Sequence, residues 1–573
     1  MTAEPRLVVR PVPAAAVPLG GGLPALLERI YAARGVTAAA ELDQSLGALL
    51  PPGALHDGER AAARIAAALQ ADERILLVGD FDADGATSVA LAVSLLQALG
   101  ARHVDFLVPN RFDFGYGLSP EIVVLAARRS PGLLVTVDNG VASVDGVAAA
   151  NAAGIDVIVT DHHLPGRQLP DAYAVVNPNL PGCDFASKAL AGVGVIYYVL
   201  GLVRAQLRQQ GWFADRKEPN LADWLDLVAL GTVADVVPLD RNNRILVRQG
   251  LNRMRAGRCR PGVAALAEVA GRPLARLSAQ DLGFALGPRL NAAGRLDDMT
   301  LGIRCLLAET RDEAMSLARA LDELNRARRE LEQEMVRDAE LIVAGHRIDA
   351  SDRFGVCVYE PGWHQGVIGI VAGRLREKVN RPVIAFADAG HQAPDELKGS
   401  ARSLPELHVR DVLDAIATRH PGMLVKFGGH AMAAGLSIKR VHYQRFAKAF
   451  DAEVRLQLPA HALERTLLTD GALDDADLRL DVARQLANAG PWGQGFPEPL
   501  FQGEFDLVSQ RVVGEHHLKL VLKSGARVVD AIAFRQLPLP GVQRVCAAYR
   551  VAENDYGDAP TLQLVVEHLA PLA

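Results

Sequence analysis

Three short apolar runs, each ending in a polar cluster, constrain this chain more than any other feature. Ile75-Leu76-Leu77-Val78 leads into Gly79-Asp80-Phe81-Asp82-Ala83-Asp84-Gly85. The run over 133–137 leads into Asp138-Asn139-Gly140, and the run over 157–160 into Asp161-His162-His163. Each run has the length and aliphatic content of a strand buried on both faces. Each cluster then falls at the carboxyl end of its strand, the edge of an open α/β sheet where ligands bind. Carboxylates and imidazoles converging there suit magnesium or manganese, which take oxygen ligands, manganese also accepting nitrogen.

The rhythm around these runs predicts strands over 75–79, 104–108, 133–137 and 155–160, separated by helices over 86–99, 119–129 and 143–153. Such alternation argues for a parallel sheet with helices on both faces. A largely helical stretch follows to about residue 310. Residues 311–345 read as one long helix, with Leu317, Leu321, Leu324, Leu331, Met335 and Ile342 forming a stripe and Arg and Glu dense opposite. It reads as a connector; a coiled-coil seam is the alternative, for which the stripe is short. A second α/β unit starts near Phe354, with strands over 356–359 and 382–386 and a helix over 367–378. From about residue 460 several short strands with turn signals suggest a small β-barrel of the oligonucleotide-binding (OB) type. Periodicity alone does not separate it from a small sandwich. Residues 1–50, rich in Ala, Pro and Gly, read as a loosely attached arm.

A chain of 573 residues accommodates three or four domains. Its formal net charge of -6 gives no global sign of nucleic-acid binding. Between Arg241 and Arg276, however, stand nine arginines and one acid, Glu268. Such a run is a candidate polyanion footprint, though a solvated helical surface is the more ordinary explanation. The five cysteines are scattered without a C-x-x-C, against disulfide frameworks and zinc knuckles. The amino terminus lacks a signal pattern, and the longest uncharged stretch, 189–203, is too short for a bilayer. The expectation is a cytoplasmic protein with no membrane partner.

Asp80-x-Asp82-x-Asp84-Gly85 matches the start of an EF-hand loop. That loop needs a closing bidentate acid, where Leu91 stands, and an incoming helix rather than a strand. Helix capping by aspartate is the other ordinary explanation. Three alternating acids crowd negative charge, and a cation relieves it most directly. Asp138-Asn139-Gly140 alone is an ordinary turn sequence. The adjacent histidines differ in direction, so one can ligate a metal while the other faces substrate. Asp235 ends an apolar, helix-like run, where a helix-terminal cap is the plain alternative.

Asp161-His162-His163 is the signature of the DHH phosphoesterase superfamily, and the motifs together resemble its bacterial single-strand-specific exonucleases. The matching segments are Val78–Gly85, Pro109-Asn110-Arg111 with Gly115-Tyr116-Gly117-Leu118, Val137–Gly140, Gly231–Asp235 and Gly287–Arg295. Trp363–Ile370, Ser400-Ala401-Arg402-Ser403 and Gly428-Gly429-His430 fit the DHH-associated domain. The resemblance implies an α/β protein: an N-terminal arm over 1–50, a DHH-type parallel-sheet catalytic domain over 51–310, and a connector helix over 311–346. A DHH-associated α/β domain over 347–458 and a C-terminal OB-like barrel over 459–573 complete it, with the active site in the cleft between the two α/β units.

The same resemblance implies two divalent cations, manganese or magnesium, held by Asp82, Asp84, Asp138, His162 and Asp235, with Asp138 bridging. Asp80 is either a further ligand or an acid orienting one. His163, Arg289 and Asn291 would act on the scissile phosphate. Arg111, Ser400 and Arg402 would grip a 5′ end, and Gly428, Gly429 and His430 would approach a phosphate. The implied activity is metal-dependent 5′-to-3′ digestion of single-stranded DNA in repair and recombination, with single-strand-binding protein and a helicase as partners. A smaller-substrate phosphodiesterase of the superfamily is the first rival. A non-catalytic DNA-binding scaffold is the second, disfavoured because every expected ligand is an acid or histidine.

Overall fold

The computed structural model describes residues 4–13, 18–20, 22–109, 117–345, 353–390, 393–514, 517–555 and 559–572. It divides into two compact units, one comprising Val9–Leu324 with Thr469–Ala573 and the other containing Asn325–Leu468.

The larger unit is built on a five-stranded parallel sheet. Its strands are Ile75–Gly79, Val104–Leu107, Leu133–Val137, Asp156–Thr160 and Ala174–Val176. The spatial order places Val104–Leu107 outermost, then Ile75–Gly79, Leu133–Val137, Asp156–Thr160 and Ala174–Val176. Register pairs Ile75 with both Val104 and Leu133, and Leu133 with Asp156. Every residue of Ile75–Gly79 and Leu133–Val137 is buried, as strands covered on both faces require. Chain order reverses between these two strands, so a topological switch point opens at their carboxyl ends. Asp80 and Asp138 are the first residues beyond those ends.

The arginine-rich run is not a free basic patch. Arg255 Nε donates to the Leu277 carbonyl at 2.7 Å, and Arg253 donates to that of Ala222. Arg260 meets the buried Asp226, and Arg272 meets Asp281 at 3.2 Å. Arg248 donates to the carbonyls of Asn488 and Gly490, and Arg276 pairs with Asp555, so the run also ties the helices to the C-terminal part of this unit. Most of the long cationic side chains here are engaged by carbonyls and carboxylates of the same unit.

The N-terminal stretch is likewise packed, not a loose arm. Ala25–Ala32 is a helix with Ile30 fully buried. Arg34 makes a buried ion pair with Asp470 at 2.7 Å and donates to the Pro497 carbonyl. The C-terminal strands Phe501–Val513, His517–Ser524, Arg527–Phe534, Arg544–Asn554 and Thr561–Pro571 close into a barrel. Leu518, Leu520 and Leu522 point inward, matching the alternation in the sequence.

The smaller unit carries a five-stranded mixed sheet in the order Leu424–Gly429, Ala433–Lys439, Glu396–Arg402, Val383–Asp388, Val356–Tyr359. Phe386, Phe446 and Phe450 fill its core. The long helix runs over Arg311–Gly345 as expected, but its buried stripe differs. Ala314, Ala318, Leu321, Asn325, Arg328, Met335 and Ala339 are buried, whereas Leu331 and Ile342 are only partly covered. Small residues let a helix lie close to its support, and Arg328 pairs with Glu332 at 2.7 Å and donates to Asn325 Oδ1 at 3.0 Å. Among the described residues no helix is long and apolar enough to cross a membrane.

Candidate metal centre

Asp82 caps the Ala83–Leu99 helix, accepting hydrogen bonds from Asp84 N–H at 2.9 Å and Gly85 N–H at 3.0 Å. Asp84 lies in the first turn of that helix, fully buried. Its two oxygens accept the Gly192 N–H at 2.6 Å and the Val193 N–H at 3.0 Å, at the start of the Gly192–Gln209 helix. Thus Asp84 sits where two helix N-termini favour negative charge. Asp80 accepts from the Phe81 N–H at 2.7 Å.

Asp138 occupies the left-handed region at φ +64°, and the turn beyond it is tightly built. Asn139 Nδ2 donates to the Val78 and Val137 carbonyls, both at 3.0 Å, stitching the two switch-point strands together. Asp161 accepts from the His162 N–H, the His163 N–H and the Val141 N–H, and its Oδ1 lies 2.8 Å from His163 Nδ1. His163 therefore directs Nε2 away from Asp161. Asn179 and Asn177 donate to the carbonyls of His162 and His163, at 2.6 and 2.8 Å. His162 Nε2 stands 3.2 Å from Asp138 Oδ1 and 3.4 Å from Asp235 Oδ2.

Ligand-capable atoms fall into three groups, each within 4.8 Å: Asp138 with His162 and His163, Asp84 with His162 and Asp235, and Asp80 with Asp82 and Asp138. Burial, and then the charges of Asp84, Asp82, Asp235 and Asp80, push Asp138 well above the usual carboxylate range. Asp235 is raised by burial and by Asp84, Asp82 and Asp80. Asp84 is raised to about 7 by burial and then by Asp82. Burial works against the charged form of His163, but the hydrogen bond and charge of Asp161, with Asp80 and Asp82, outweigh it and raise the imidazole to about 9. Asp161 is likewise opposed by burial yet held below its ordinary value, chiefly by His163.

This donor set fits two divalent cations. Acids are crowded in a buried space, and Asp235 Oδ2 accepts no hydrogen bond there, with His162 Nε2 standing 3.4 Å away. Glycines make the room. A Cβ on Gly192 would fall 2.5 Å from Asp138 Cβ and Oδ1, and one on Gly231 would fall 2.8 Å from Asp84 Oδ1.

The structure brings Asp80, Asp82, Asp84, Asp138, His162, His163 and Asp235 together. Arg289 and Asn291 belong to the same unit, with prior engagements. Arg289 is buried, bonded to Asp322 at 2.8–2.9 Å and to the Ala285 carbonyl at 2.6 Å. Asn291 Oδ1 accepts the Ala83 N–H at 2.8 Å, supporting the acid-bearing helix. Arg111 lies outside the described residues. In the smaller unit, Arg402 Nη1 lies 3.0 Å from Ser400 Oγ, and a Cβ on Gly369 would fall 2.8 Å from Arg402 Nη2. Both side chains therefore lie over the first turn of the Ile368–Val379 helix. Gly428 and Gly429 end a hairpin strand at which the His430 N–H donates to the Ala433 carbonyl at 2.8 Å.

Sequence reasoning missed Asp161 as the anchor of His163, Asp322 as the partner of Arg289, and the glycines at 192 and 231 as space-makers. It also missed Asn177 and Asn179. Asn177 does follow a strand, Ala174–Val176, at the same sheet edge as the aspartates, and that placement was a usable signal.

A parallel sheet whose switch point carries clustered aspartates and a histidine pair defines a metal-dependent phosphoesterase of the DHH type. Residues 74–232 match the DHH family N-terminal domain, 352–456 the DHHA1 domain and 469–568 the RecJ OB domain. The chain is 52% identical to the single-stranded-DNA-specific exonuclease RecJ of Dickeya dadantii, covering 98% of both chains. It is 51% identical to that of Escherichia coli, covering 96% of both. The crystal structure of Thermus thermophilus RecJ in complex with Mn2+ superimposes with a TM-score of 0.82 at 30% identity, covering 100% of this chain and 80% of that one. The corresponding Mg2+ complex gives 0.76 at 29% identity. The chain belongs to the RecJ family.

Proposed function

We propose that this protein is a single-strand-specific 5′-to-3′ exodeoxyribonuclease that releases 5′-mononucleotides by metal-dependent hydrolysis. The observation that carries the reading is the convergence of the buried Asp84 and Asp138 with the half-buried His162 and Asp235 at the sheet's switch point. Asp82, Asp84, Asp138, His162 and Asp235, with Asp80 beside them, would hold two divalent cations, manganese or magnesium. Bound there, the pair supplies Lewis-acid activation of water and neutralises phosphate charge.

The chain's own residues do the rest. Asp161 fixes His163 so that its Nε2 is left for substrate, and the hydrogen bond and charge of Asp161 favour the protonated ring. A protonated imidazole can donate to a phosphate oxygen or to the departing 3′-oxygen. Asn291 holds the start of the Ala83–Leu99 helix, fixing Asp82 and Asp84. Arg289 adds positive charge whose direction Asp322 sets. Ser400 and Arg402, over a helix N-terminus, suit a terminal phosphate, and with Arg111 would give 5′ polarity. Gly428, Gly429 and His430 would allow close backbone approach to the strand. Phosphate contacts make binding fall steeply with salt.

The protein would act in DNA repair and recombination in the cytoplasm, on strands exposed by a helicase and coated by single-strand-binding protein. Single-stranded DNA labelled separately at each end, beside a duplex and a dinucleotide, tests the reading with manganese or magnesium. Stepwise loss from the 5′ end of single strands only, absent in Asp138→Ala, is expected. Rapid dinucleotide cleavage with little action on long strands would move the protein to the small-substrate branch. No turnover of any substrate would leave a binding scaffold.

A further inference from the structure

Two apolar side chains stand in solvent, one directly after Asp235 in the chain and the other on a turn packed against the helix that leads into Asp235, the first of them at a conformational cost. Val236 follows Asp235 and has φ +62°, a region that β-branched residues rarely enter. Its side chain is 64% exposed, so its own burial does not offset the strain. The Leu225–Ala234 helix closes through Asp235 N–H to the Gly231 carbonyl and Val236 N–H to that of Val233. Glycine or asparagine ordinarily fills such a left-handed closing position.

Phe284 is 78% exposed and sits in a π-helical turn, Leu282–Leu286, a rare conformation associated with functional sites. The two segments are packed together. A Cβ on Gly283 would fall 3.3 Å from Val233 Cγ1, and one on Gly287 would fall 3.1 Å from Ala234 Cβ. Phe284 is therefore carried on the turn that lies against the residues leading into Asp235.

We propose that Phe284 and Val236 form the base-contacting surface of the active centre, Phe284 stacking on an unpaired nucleobase and Val236 packing against the same nucleotide. The inference rests on the nuclease reading above. A nucleotide whose phosphate lies in the acid cluster still offers a flat apolar base, and an exposed aromatic ring is its natural partner. Stacking tolerates every base, because each has a π-face. It also favours single strands, because a paired base already has both faces stacked and must be freed first. The strain at Val236 is then the cost of presenting an aliphatic group beside a metal ligand.

Phe284→Ala and Phe284→Trp in the full chain test this, on single strands bearing natural bases or abasic residues at the terminal positions. Phe284→Ala is expected to raise KM on natural strands by roughly fivefold or more. It should change KM little on abasic ones, and Phe284→Trp should restore binding. A 2-aminopurine near the 5′ end should be quenched by the parent and the Trp variant but not by the Ala variant. Val236→Asn, whose backbone accepts the left-handed region, should unfold no earlier than the parent yet raise KM on natural strands. Equal losses on natural and abasic strands, or unchanged KM and quenching in Phe284→Ala, would overturn the proposal. If the unsubstituted protein leaves single strands intact, the nuclease reading itself falls and this inference with it.

Discussion

Asp235 Oδ2 lies 3.4 Å from His162 Nε2, which joins the end of a helix to the end of a strand across the acid cluster. Asp235 is therefore expected to bind metal rather than cap a helix. Asp235→Asn removes a ligand charge and should weaken manganese binding by at least about 100-fold, more than is lost when an outer-shell partner of a metal ligand is removed. The same change removes a buried like charge, so the metal-free variant should melt higher than the metal-free parent. Calorimetric titration with manganese and thermal melts in chelator check both arms. A cap would give the opposite result, a lower melting temperature and unchanged metal affinity.

The crowded acids also set the pH response of the metal-free protein. Asp84 ordinarily titrates near 3.8 and is raised to about 7 in the fold. Between those values the folded state binds more protons than the unfolded chain, so stability falls as pH rises through the window. Asp138 and Asp235 are shifted in the same direction. His163, raised from 6.5 to about 9, extends the decline to higher pH. Metal bound only by the folded state opposes this loss. The rise in Tm on adding manganese should be larger at pH 8 than at pH 6, and a pH-independent rise would count against the carboxylate cluster as the binding site.

Asp161→Asn isolates the role of His163. Its carboxylate, 2.8 Å from Nδ1, is the main force holding the imidazole protonated against burial. Asparagine keeps an acceptor for the backbone N–H groups but loses the charge. The alkaline limb of the pH–kcat profile should move to lower pH. At pH 8, kcat should fall by about 100-fold, the scale of general-acid catalysis. A profile of unchanged shape would remove His163 from proton transfer.

The acid clusters were legible because each follows a strand buried on both faces, so apolar composition fixed the strand and chain direction fixed the edge. The long helix and the inward Leu518, Leu520 and Leu522 followed from periodicity alone. Other relationships join residues distant in sequence and left no local mark. Nothing near Gly192 announces that its N–H will meet Asp84, and Asp322 lies among the ordinary charges of a long helix. The arginines of 241–276 read from sequence as a solvated helical surface or, less ordinarily, a polyanion footprint, because sequence shows their charge but not the carbonyls they reach. The Ala/Pro/Gly composition before residue 50 likewise concealed Arg34 and its buried partner.

Gly192 offers the sharpest packing test. It contributes an N–H to Asp84 at 2.6 Å, while its missing side chain leaves room for Asp138. In Gly192→Ala the new Cβ would fall 2.5 Å from Asp138 Cβ and Oδ1, and both neighbours are fully buried. Overpacking of this kind costs about 1–3 kcal/mol. Because the displaced group is the expected bridging ligand, manganese affinity and turnover should fall together with stability, by more than the stability loss alone explains. Ala at Gly373, where a Cβ meets nothing within 4 Å, is the control and should leave stability within about 1 kcal/mol of the parent and manganese affinity unchanged. Denaturant unfolding beside metal titration separates the two effects. A Gly192→Ala protein with parental metal affinity would show that Asp138 does not need this space to bind.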